Sequence, residues 1–472
     1  PGKRKPIAFA EDTAVPPEKL ADFIMEFRAL LDAENLHYGM FGHVDAGVLH
    51  VRPALNMQDE ADEALVRKLS DQVMALTAKY GGLMWGEHGK GYRSEYGPEF
   101  FGEELFAELR KLKSAFDPEN RLNPGKICTP WESREDLVSV DARKRGWYDK
   151  QIPLAVQEQW QGPMDCNGNG LCFNYDATTP MCPSYRGTKD RRYSPKGRAT
   201  LLREWLRQVN SSSHPESDTK PFSWLRRQFN SLSRSQDFAH EVRASMDTCL
   251  SCKACASQCP VSVDIPTYKS RFYAHYFSRY ARPLKDYLVR DAERVLPRLA
   301  RRPRLANALM QNALAKWLQA KWVGYVDPPE FAVPSTESRL SARRNSSEKL
   351  LYWHEAKPNA RDLDMFDPSP FVALVPDVFT WCYEPQLVEA FCDVAERLGK
   401  TVVVLPFFHK QAGKKTFVNG KGMHVKGFLP EFKQEAEQSA ALLNEVHDLG
   451  IPLVGLDAAT TLCFKDEYGD ML

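Results

Sequence analysis

Four cysteines lie within eleven residues near the middle of this chain, and a proline follows the last of them. The run is Cys249-Leu-Ser-Cys252-Lys-Ala-Cys255-Ala-Ser-Gln-Cys259-Pro260. This spacing gives three thiolates to one [4Fe–4S] cluster and sends the fourth to a neighbouring cluster. Zinc sites usually pair two C-x2-C groups across a longer gap, and buried or disulfide-bonded cysteines do not require this spacing. The pattern therefore predicts an iron–sulfur centre that transfers single electrons.

A second cysteine group precedes the first and lacks one member. Cys166, Cys172 and Cys182 follow a similar order, but Asn169 stands where a second cysteine is expected. Exchange of the fourth cysteines between the groups predicts one closed site and one incomplete site. The closed site is made of Cys182, Cys249, Cys252 and Cys255. The second site would contain Cys166, Cys172 and Cys259, and could hold a three-iron cluster, a cube with Asn169 or solvent on the fourth iron, or nothing.

Two histidines flank a short turn, and a Glu-His pair follows downstream. His43 and His50 belong to Phe41-Gly-His-Val-Asp-Ala-Gly-Val-Leu-His50, and Glu87-His88 lies in a glycine-rich stretch. Two imidazoles and a carboxylate can bind a divalent ion such as zinc or manganese and leave positions open for substrate oxygens. Spacing alone favours ordinary surface or core histidines, so the metal site needs further support.

Composition excludes some classes of protein. The 472 residues carry a net charge of +1, which gives no reason to expect a nucleic-acid partner. Clustered thiols beside lone ones are typical of a reducing compartment, so we expect a cytoplasmic protein. No run of 18 apolar residues predicts a transmembrane helix, and the first residues do not resemble a signal peptide. Arginines between 290 and 304 form a basic face, either a solvated helix surface or a site for an anionic partner or the inner-membrane rim.

Hydrophobic periodicity predicts an α+β protein of several domains. Residues 1–130 alternate strands and helices, for which a βαββαβ arrangement on an antiparallel sheet is economical. Residues 131–330 are predicted to be mainly helical around the cysteines, with a polar loop at 211–220. Residues 331–368 are predicted to be a linker. Residues 369–472 show the continuous apolar runs of a partial, doubly wound α/β domain with buried parallel strands.

The stretch from Glu11-Asp-Thr-Ala-Val-Pro-Pro to Asn123-Pro-Gly-Lys126 resembles the C-terminal half of FAD-linked oxidases of the vanillyl-alcohol-oxidase type, and more specifically D-2-hydroxy-acid dehydrogenases. With the cysteine groups and the α/β segment, nearly the whole chain is similar to the C-terminal half of long bacterial D-2-hydroxyglutarate dehydrogenase-like proteins. The resemblance implies a ferredoxin-like α/β cap domain of a FAD-linked oxidase, a helical ferredoxin domain and a degenerate α/β domain.

The resemblance also implies roles for individual residues. His43, His50 and Glu87 would hold the divalent metal, and His88 would be the base that removes the substrate's hydroxyl proton. Asn123 would lie near the flavin. The family usually has Gly-Asp-Gly-Asn-Leu-His where this chain has Asp-Ala-Gly-Val-Leu-His50, so the polar contacts of the missing Asp and Asn are in doubt. Arg52 is a candidate cation for the substrate carboxylate, although it also fits a surface strand position.

The expected activity is oxidation of a D-2-hydroxy acid, with electrons passing from FAD through [4Fe–4S] to a quinone or a soluble carrier. D-2-hydroxyglutarate is the first expected substrate, and D-lactate or glycolate are alternatives. We expect the main FAD-binding domain to lie outside these 472 residues, in the remainder of the same polypeptide. A non-catalytic electron-transfer or scaffold module for a partner flavoprotein is the alternative of another class. The oligomeric state, including a homo-oligomer, stays open.

The C-terminal segment lacks the cysteine motifs that relatives carry there. Gln411-Ala-Gly413 and Ala458-Ala-Thr460 occupy the corresponding places. We therefore expect a structural or docking domain without a metal, in which Cys382, Cys392 and Cys463 are packing residues.

Overall fold

The computed structural model describes residues 4–144, 146–209, 223–233, 237–358, 366–406 and 417–472. The chain forms two compact units, residues 1–151 and 152–472. The predicted polar loop at 211–220 and the Gln411–Gly413 segment lie outside the described residues. Among the described residues, no helix is long and apolar enough to cross a membrane.

The first unit is built on a small antiparallel sheet covered by two long helices. Its strands are β1 (Lys5–Pro6), β2 (Thr13–Ala14), β3 (Tyr38–His43) and β4 (Val48–Leu55), and its helices are α1 (Leu20–Ala33), α2 (Glu60–Lys79) and α3 (Gly97–Phe116). Strand β4 pairs with each of the other three strands. Helix α1 buries Leu20, Phe23, Phe27 and Leu31 at helical spacing, as its sequence periodicity predicts.

The strand expected after Gly81-Gly82 is reduced to a single bridge between Ala14 and Leu83. The following backbone does not continue the ladder, because its N–H groups bond to Asp12. Gly86 N donates to the Asp12 carbonyl, and Glu87 N and His88 N donate to its carboxylate. The βαββαβ expectation is therefore wrong at its last strand, and this departure forms a candidate functional loop.

The second unit begins with helices that surround the cysteines. These are α4 (Leu154–Gln159), α5 (Gln161–Asp165), α6 (Pro183–Thr188), α7 (Pro195–Gln208), α8 (Ser223–Leu232), α9 (Ala239–Asp247), α10 (Ala254–Gln258), α11 (Ile265–Arg279), α12 (Leu284–Ala300), α13 (Pro303–Met310) and α14 (Ala313–Leu318). Helices α13 and α14 are separate, because the Asn312 side chain caps α14 by accepting from Ala315 N. A buried core of Leu202, Trp205, Phe272 and Tyr276 joins these helices.

The C-terminal part of the second unit is a parallel sheet with the strand order β5-β7-β6-β8. Its strands are β5 (Leu350–Tyr352), β6 (Phe371–Val375), β7 (Thr401–Val404) and β8 (Leu453–Gly455). Its helices are α15 (Thr336–Arg344), α16 (Trp353–Ala356), α17 (Val378–Tyr383), α18 (Pro385–Arg397), α19 (Lys421–Val425), α20 (Leu429–Asp448), α21 (Ala458–Lys465) and α22 (Glu467–Met471).

Much of the predicted linker, residues 331–368, belongs to this folded part. Strand β5 pairs with β7, and Leu340, Leu350 and Trp353 are buried in the same core as the sheet. The segment has few large apolar residues, but each of these three takes a core position, which composition alone does not reveal. Residues 359–365 lie outside the described residues. The mixed α/β character agrees with the expectation, whereas the predicted domain boundaries at 130, 330 and 368 stay predictions.

Candidate functional site

Strands β3 and β4 present two imidazoles on one face of the first sheet. Phe41 pairs with His50 and His43 pairs with Val48, so the two histidines stand on the same side of adjacent strands. The connecting turn ends at Gly47, where φ is 67° and a Cβ would lie 1.8 Å from the Val15 carbonyl oxygen. Only glycine fits there, and the turn fixes the register of the histidines.

Asp12 holds the loop that carries Glu87 and His88. Its two carboxylate oxygens accept from Glu87 N at 2.8 Å and from His88 N at 2.9 Å. Asp12 is fully buried, and its φ of 70° lies in the left-handed region, which Asp tolerates better than most residues. Asp12 was not among the predicted site residues, although its place in the Glu11-Asp12-Thr13 motif was the available signal.

The structure brings the three predicted metal ligands together. His43 Nε2 lies 3.3 Å from Glu87 Oε1, and His50 Nε2 lies 3.8 Å from Glu87 Oε2. One ligand atom from each residue falls within 4.8 Å of the others, which suits a divalent ion. His50 is buried, and among the described residues its Nδ1 has no hydrogen-bond partner. Asp12, His50 and His88 form an overlapping group with the same spacing.

His88 lies beside this cluster with its own acidic neighbour. Its ring stacks on His50 at a centroid distance of 5.0 Å, and its Nδ1 lies 3.7 Å from Glu11 Oε1. Glu11 also accepts from Arg52 Nε at 2.6 Å. A half-exposed imidazole with a carboxylate on one side has the arrangement of a general base. Glu11 is a further residue that the sequence analysis did not single out.

Arg52 and Asn123 differ in their relation to the histidine cluster. Arg52 pairs with the largely buried Glu11 and lies 5.6 Å from the Phe41 ring centre, so part of its charge is already compensated. Asn123 is exposed in a turn closed by Lys126 N donating to the Asn123 carbonyl, with φ of 50°. No contact among the described residues joins Asn123 to the cluster.

Arg93 stabilises the backbone beside the histidine cluster. It is buried, and its Nη1 donates to the carbonyl oxygens of Glu11 and Met84. Burial lowers the pKa of Arg93, while the charges of Asp12 and Glu11 oppose that shift. Arg93 therefore ties the Glu11-Asp12 segment to the chain that leads into the Glu87 loop.

The second unit contains a cavity lined by the four cysteines of the predicted closed site. These cysteines are Cys182, Cys249, Cys252 and Cys255. No disulfide forms among them. Burial raises the pKa of Cys255 to about 12, so this thiol would stay protonated at neutral pH unless a metal stabilised the thiolate. Four soft ligands around one cavity fit a [4Fe–4S] cluster.

A neighbouring cavity is lined by the thiols of the predicted incomplete site, Cys166, Cys172 and Cys259. Asn169 also lines it, but its side chain is engaged locally. Asn169 Oδ1 accepts from Leu171 N at 3.0 Å, and Asn169 Nδ2 donates to Asn167 Oδ1 at 2.8 Å. Asn169 thus serves as a turn residue, which favours three protein ligands over four.

Three of the four remaining cysteines are buried in hydrophobic cores. Cys382 and Cys392 lie in the core of the parallel sheet, and Cys463 lies in a smaller adjoining core. Burial raises the pKa of the Cys392 thiol to about 11 and also raises the pKa of Cys382 and Cys463. Ala458–Thr460 opens helix α21 below an Asp457 cap. These positions agree with a packing role.

Comparisons with known proteins match both parts of the chain. Residues 1–127 match the family described as FAD linked oxidases, C-terminal domain, and residues 164–263 match the 4Fe-4S dicluster domain. The chain is 50% identical to a D-2-hydroxyglutarate dehydrogenase of Escherichia coli (strain K12), over 99% of the chain and 46% of that relative. A D-2-hydroxyglutarate dehydrogenase of Haemophilus influenzae is 45% identical over 100% of the chain and 45% of its own length.

Similarity to D-lactate dehydrogenases is narrower. That of Anaerostipes hadrus is 34% identical over 25% of this chain and 25% of its own length. The predicted resemblance is confirmed, and the chain carries a C-terminal domain of FAD-linked oxidases and a 4Fe–4S dicluster domain. The chain spans about half the length of the D-2-hydroxyglutarate dehydrogenases it matches. These matches do not support the further expectation that the main FAD-binding domain lies outside the chain, which stays a prediction.

Proposed function

We propose that this chain is the part of a FAD- and iron–sulfur-dependent dehydrogenase that binds a D-2-hydroxy acid, removes its hydroxyl proton and carries electrons away. The observation that carries the proposal is the convergence of His43, His50 and Glu87 beside His88 in a domain of FAD-linked-oxidase type. The D-2-hydroxyglutarate dehydrogenases among its relatives favour D-2-hydroxyglutarate as the substrate.

The histidine cluster would bind the reacting end of the substrate. His43, His50 and Glu87 would hold a zinc or manganese ion, which supplies Lewis-acid chemistry that lowers the pKa of a bound hydroxyl group. His43 and Glu87 are partly exposed, so a small ligand can reach this side of the sheet. His50 is buried and fixes the inner edge of the site.

His88 would accept the hydroxyl proton. Its ring is about half exposed, and Glu11 lies on the Nδ1 side at 3.7 Å, which favours Nε2 as the atom that takes the proton. The carboxylate of Glu11 would then stabilise the imidazolium. Arg52 shares Glu11 and would contact a substrate carboxylate only through the part of its guanidinium that Glu11 leaves available. Asn123 is retained as a candidate contact for the flavin.

The cysteines would conduct the electrons. Cys182, Cys249, Cys252 and Cys255 would hold a [4Fe–4S] cluster, which supplies one-electron transfer when bound. Cys166, Cys172 and Cys259 would hold a second cluster with an open position, because Asn169 is engaged in its own turn.

A cavity of about 580 Å³ in the second unit has room for a small acceptor such as a quinone. Its lining includes the rings of Phe277 and Phe428 and the buried carboxylate of Glu467. Lys253, which lies between Cys252 and Cys255, has its Nζ 3.2 Å from Glu467 Oε1. The closed cysteine site and the cavity therefore share a wall.

A cytoplasmic location is part of the proposal, and peripheral association with the inner membrane is the alternative. Part of the basic face is neutralised, since Arg290 pairs with Asp291 and Arg294 pairs with Glu435. The face therefore offers less free charge to a membrane than the sequence suggested.

The test is a substrate screen on the full-length protein, purified without oxygen, with an artificial dye as electron acceptor. D-2-hydroxyglutarate should give the highest kcat/KM, above D-lactate and glycolate, and the L-enantiomer should be inert. Replacing the dye with a short-chain quinone should sustain turnover. A protein that contains flavin and clusters but oxidises none of the three acids would favour the electron-transfer module instead.

A further inference from the structure

Arg198 is a buried cation beside the closed cysteine site, and no acidic partner for it occurs in the described part of the chain. Its side chain is 1% exposed. Its Nε donates to the Ser245 carbonyl at 3.1 Å, and its Nη2 donates to the hydroxyls of Ser184 and Thr248 at 2.7 and 2.8 Å. Among the described residues, no carboxylate lies within ion-pair distance of it. All these partners are neutral, so the guanidinium charge is not compensated by them.

The remaining contact of Arg198 is with a cysteine. Its Nη1 lies 3.9 Å from Cys182 Sγ, and Arg198 lines the same cavity as the four thiols. A buried charge without a counter-charge costs several kcal/mol, so proteins rarely retain one without a partner. A [4Fe–4S] cube with four thiolates carries a net negative charge and supplies the missing partner.

Lys269 repeats this arrangement from helix α11. It is 6% exposed, and its Nζ donates to the Cys249 carbonyl at 2.6 Å. No described carboxylate pairs with it, and burial lowers its pKa. Lys253 is different, because Asp264, Asp466 and Glu467 all lie within 4 Å of its Nζ. Arg198 is therefore not compensated by a described carboxylate, Lys269 is compensated in part by the charge of Asp247, and Lys253 is neutralised.

We propose that Arg198, assisted by Lys269, is a positioning residue that raises the reduction potential of the cluster held by Cys182, Cys249, Cys252 and Cys255. Reduction adds one electron to a group that is already negative, so nearby fixed cations favour the reduced form. Net charge and hydrogen bonds to the sulfurs are recognised determinants of cluster potential. The inference rests on the cluster assignment in the proposed function, but not on the identity of the hydroxy acid.

The experiment is a redox titration of the full-length protein, followed by the electron paramagnetic resonance signal of the reduced cluster. Chemical reductants set the potential, so no hydroxy acid is needed and a failed substrate assignment leaves the result intact. Arg198→Gln removes the charge but keeps an amide donor, and Arg198→Lys keeps the charge. Lys269→Gln tests the second cation. Arg207→Gln is the matched control on helix α7, because Arg207 pairs with Glu204.

In Arg198→Gln, the ratio of reduced to oxidised cluster at the wild-type midpoint should fall about tenfold, which is a downward shift of about 59 mV for one electron. Lys269→Gln should shift the midpoint in the same direction, while Arg198→Lys and Arg207→Gln should shift it much less. Loss of the cluster from Arg198→Gln but not from Arg198→Lys would also support the need for charge. An unchanged midpoint in a loaded Arg198→Gln, or equal loss of the cluster from both Arg198 variants, would overturn the proposal.

Discussion

Replacing Asp12 with Asn tests whether one buried carboxylate organises the histidine site. Asn has nearly the same shape and also tolerates the left-handed backbone at φ 70°. It keeps one oxygen but presents an NH2 group where Asp12 accepts from Glu87 N or His88 N. One of these two hydrogen bonds must therefore be lost, and the other loses its charge assistance.

The magnitude follows from those contacts. A hydrogen bond to a charged group contributes about 1.5–3 kcal/mol. The negative charge of Asp12 also compensates part of the positive charge of the buried Arg93. We expect the Asp12→Asn variant to lose ~2–4 kcal/mol in the free energy of unfolding of the first unit. Because Glu87 is then less well held, zinc or manganese affinity should fall by roughly 10–100-fold, as for other changes next to metal ligands.

The assay is isothermal titration of the metal into metal-free protein, at a temperature where both proteins are folded, alongside urea unfolding. Asp45→Asn is the matched control, since Asp45 is exposed in the turn between His43 and His50 and loses the same charge. A loss of stability with unchanged metal affinity would show that Asp12 supports the fold only. Unchanged values of both would refute the reasoning.

Three further predictions follow from the structure. His88→Ala should retain metal but lose roughly 10²–10⁴-fold in turnover, with residual activity rising at high pH, and normal turnover would mean that the proton leaves by another route. Cys252→Ser should abolish the signal of the closed cluster, whereas Cys392→Ser should leave it intact, as iron analysis can check. Burial raises the pKa of Glu293 from 4.5 to about 7, so the folded state binds a proton that the unfolded state has released. Stability should therefore fall by ~3 kcal/mol as pH rises from 4.5 to 7, and Glu293→Gln should remove this dependence in urea unfolding.

The structure brings together the histidines and the cysteines that the sequence grouped, because within each group the residue types recur at short spacing. The turn between His43 and His50 forces both onto one face of the sheet. The assignment of Cys182 to the cluster of Cys249 follows from the exchange of the fourth cysteine, and the common cavity agrees with it. Glu87 and Cys182 nevertheless come from distant segments, and local spacing alone does not place them beside His50 and Cys249.

The parts that the sequence did not predict depend on contacts between distant segments. Asp12 lies 75 residues before Glu87, and no periodicity relates a lone buried carboxylate to a later loop. Glu11 and Arg52 are 41 residues apart, so the ion pair between them could not be predicted from the sequence either. The predicted linker, residues 331–368, shows the same limit, because Leu340, Leu350 and Trp353 take core positions that its polar average composition does not indicate.

The neighbouring acids Glu11 and Asp12 connect the separate features of the histidine site. Asp12 turns inward and fixes the backbone of the Glu87-His88 loop, while Glu11 contacts Arg52 and faces the His88 ring. A single dipeptide thus sets the place of a metal ligand, the environment of the proposed base and the charge of the proposed carboxylate-binding residue. The positions before His50 hold Ala46 and Val48, which offer no polar side chain, and the acidic pair supplies polar groups from the β2 side of β4. The site therefore depends on the segment that leads into β2 as well as on the His43–His50 turn.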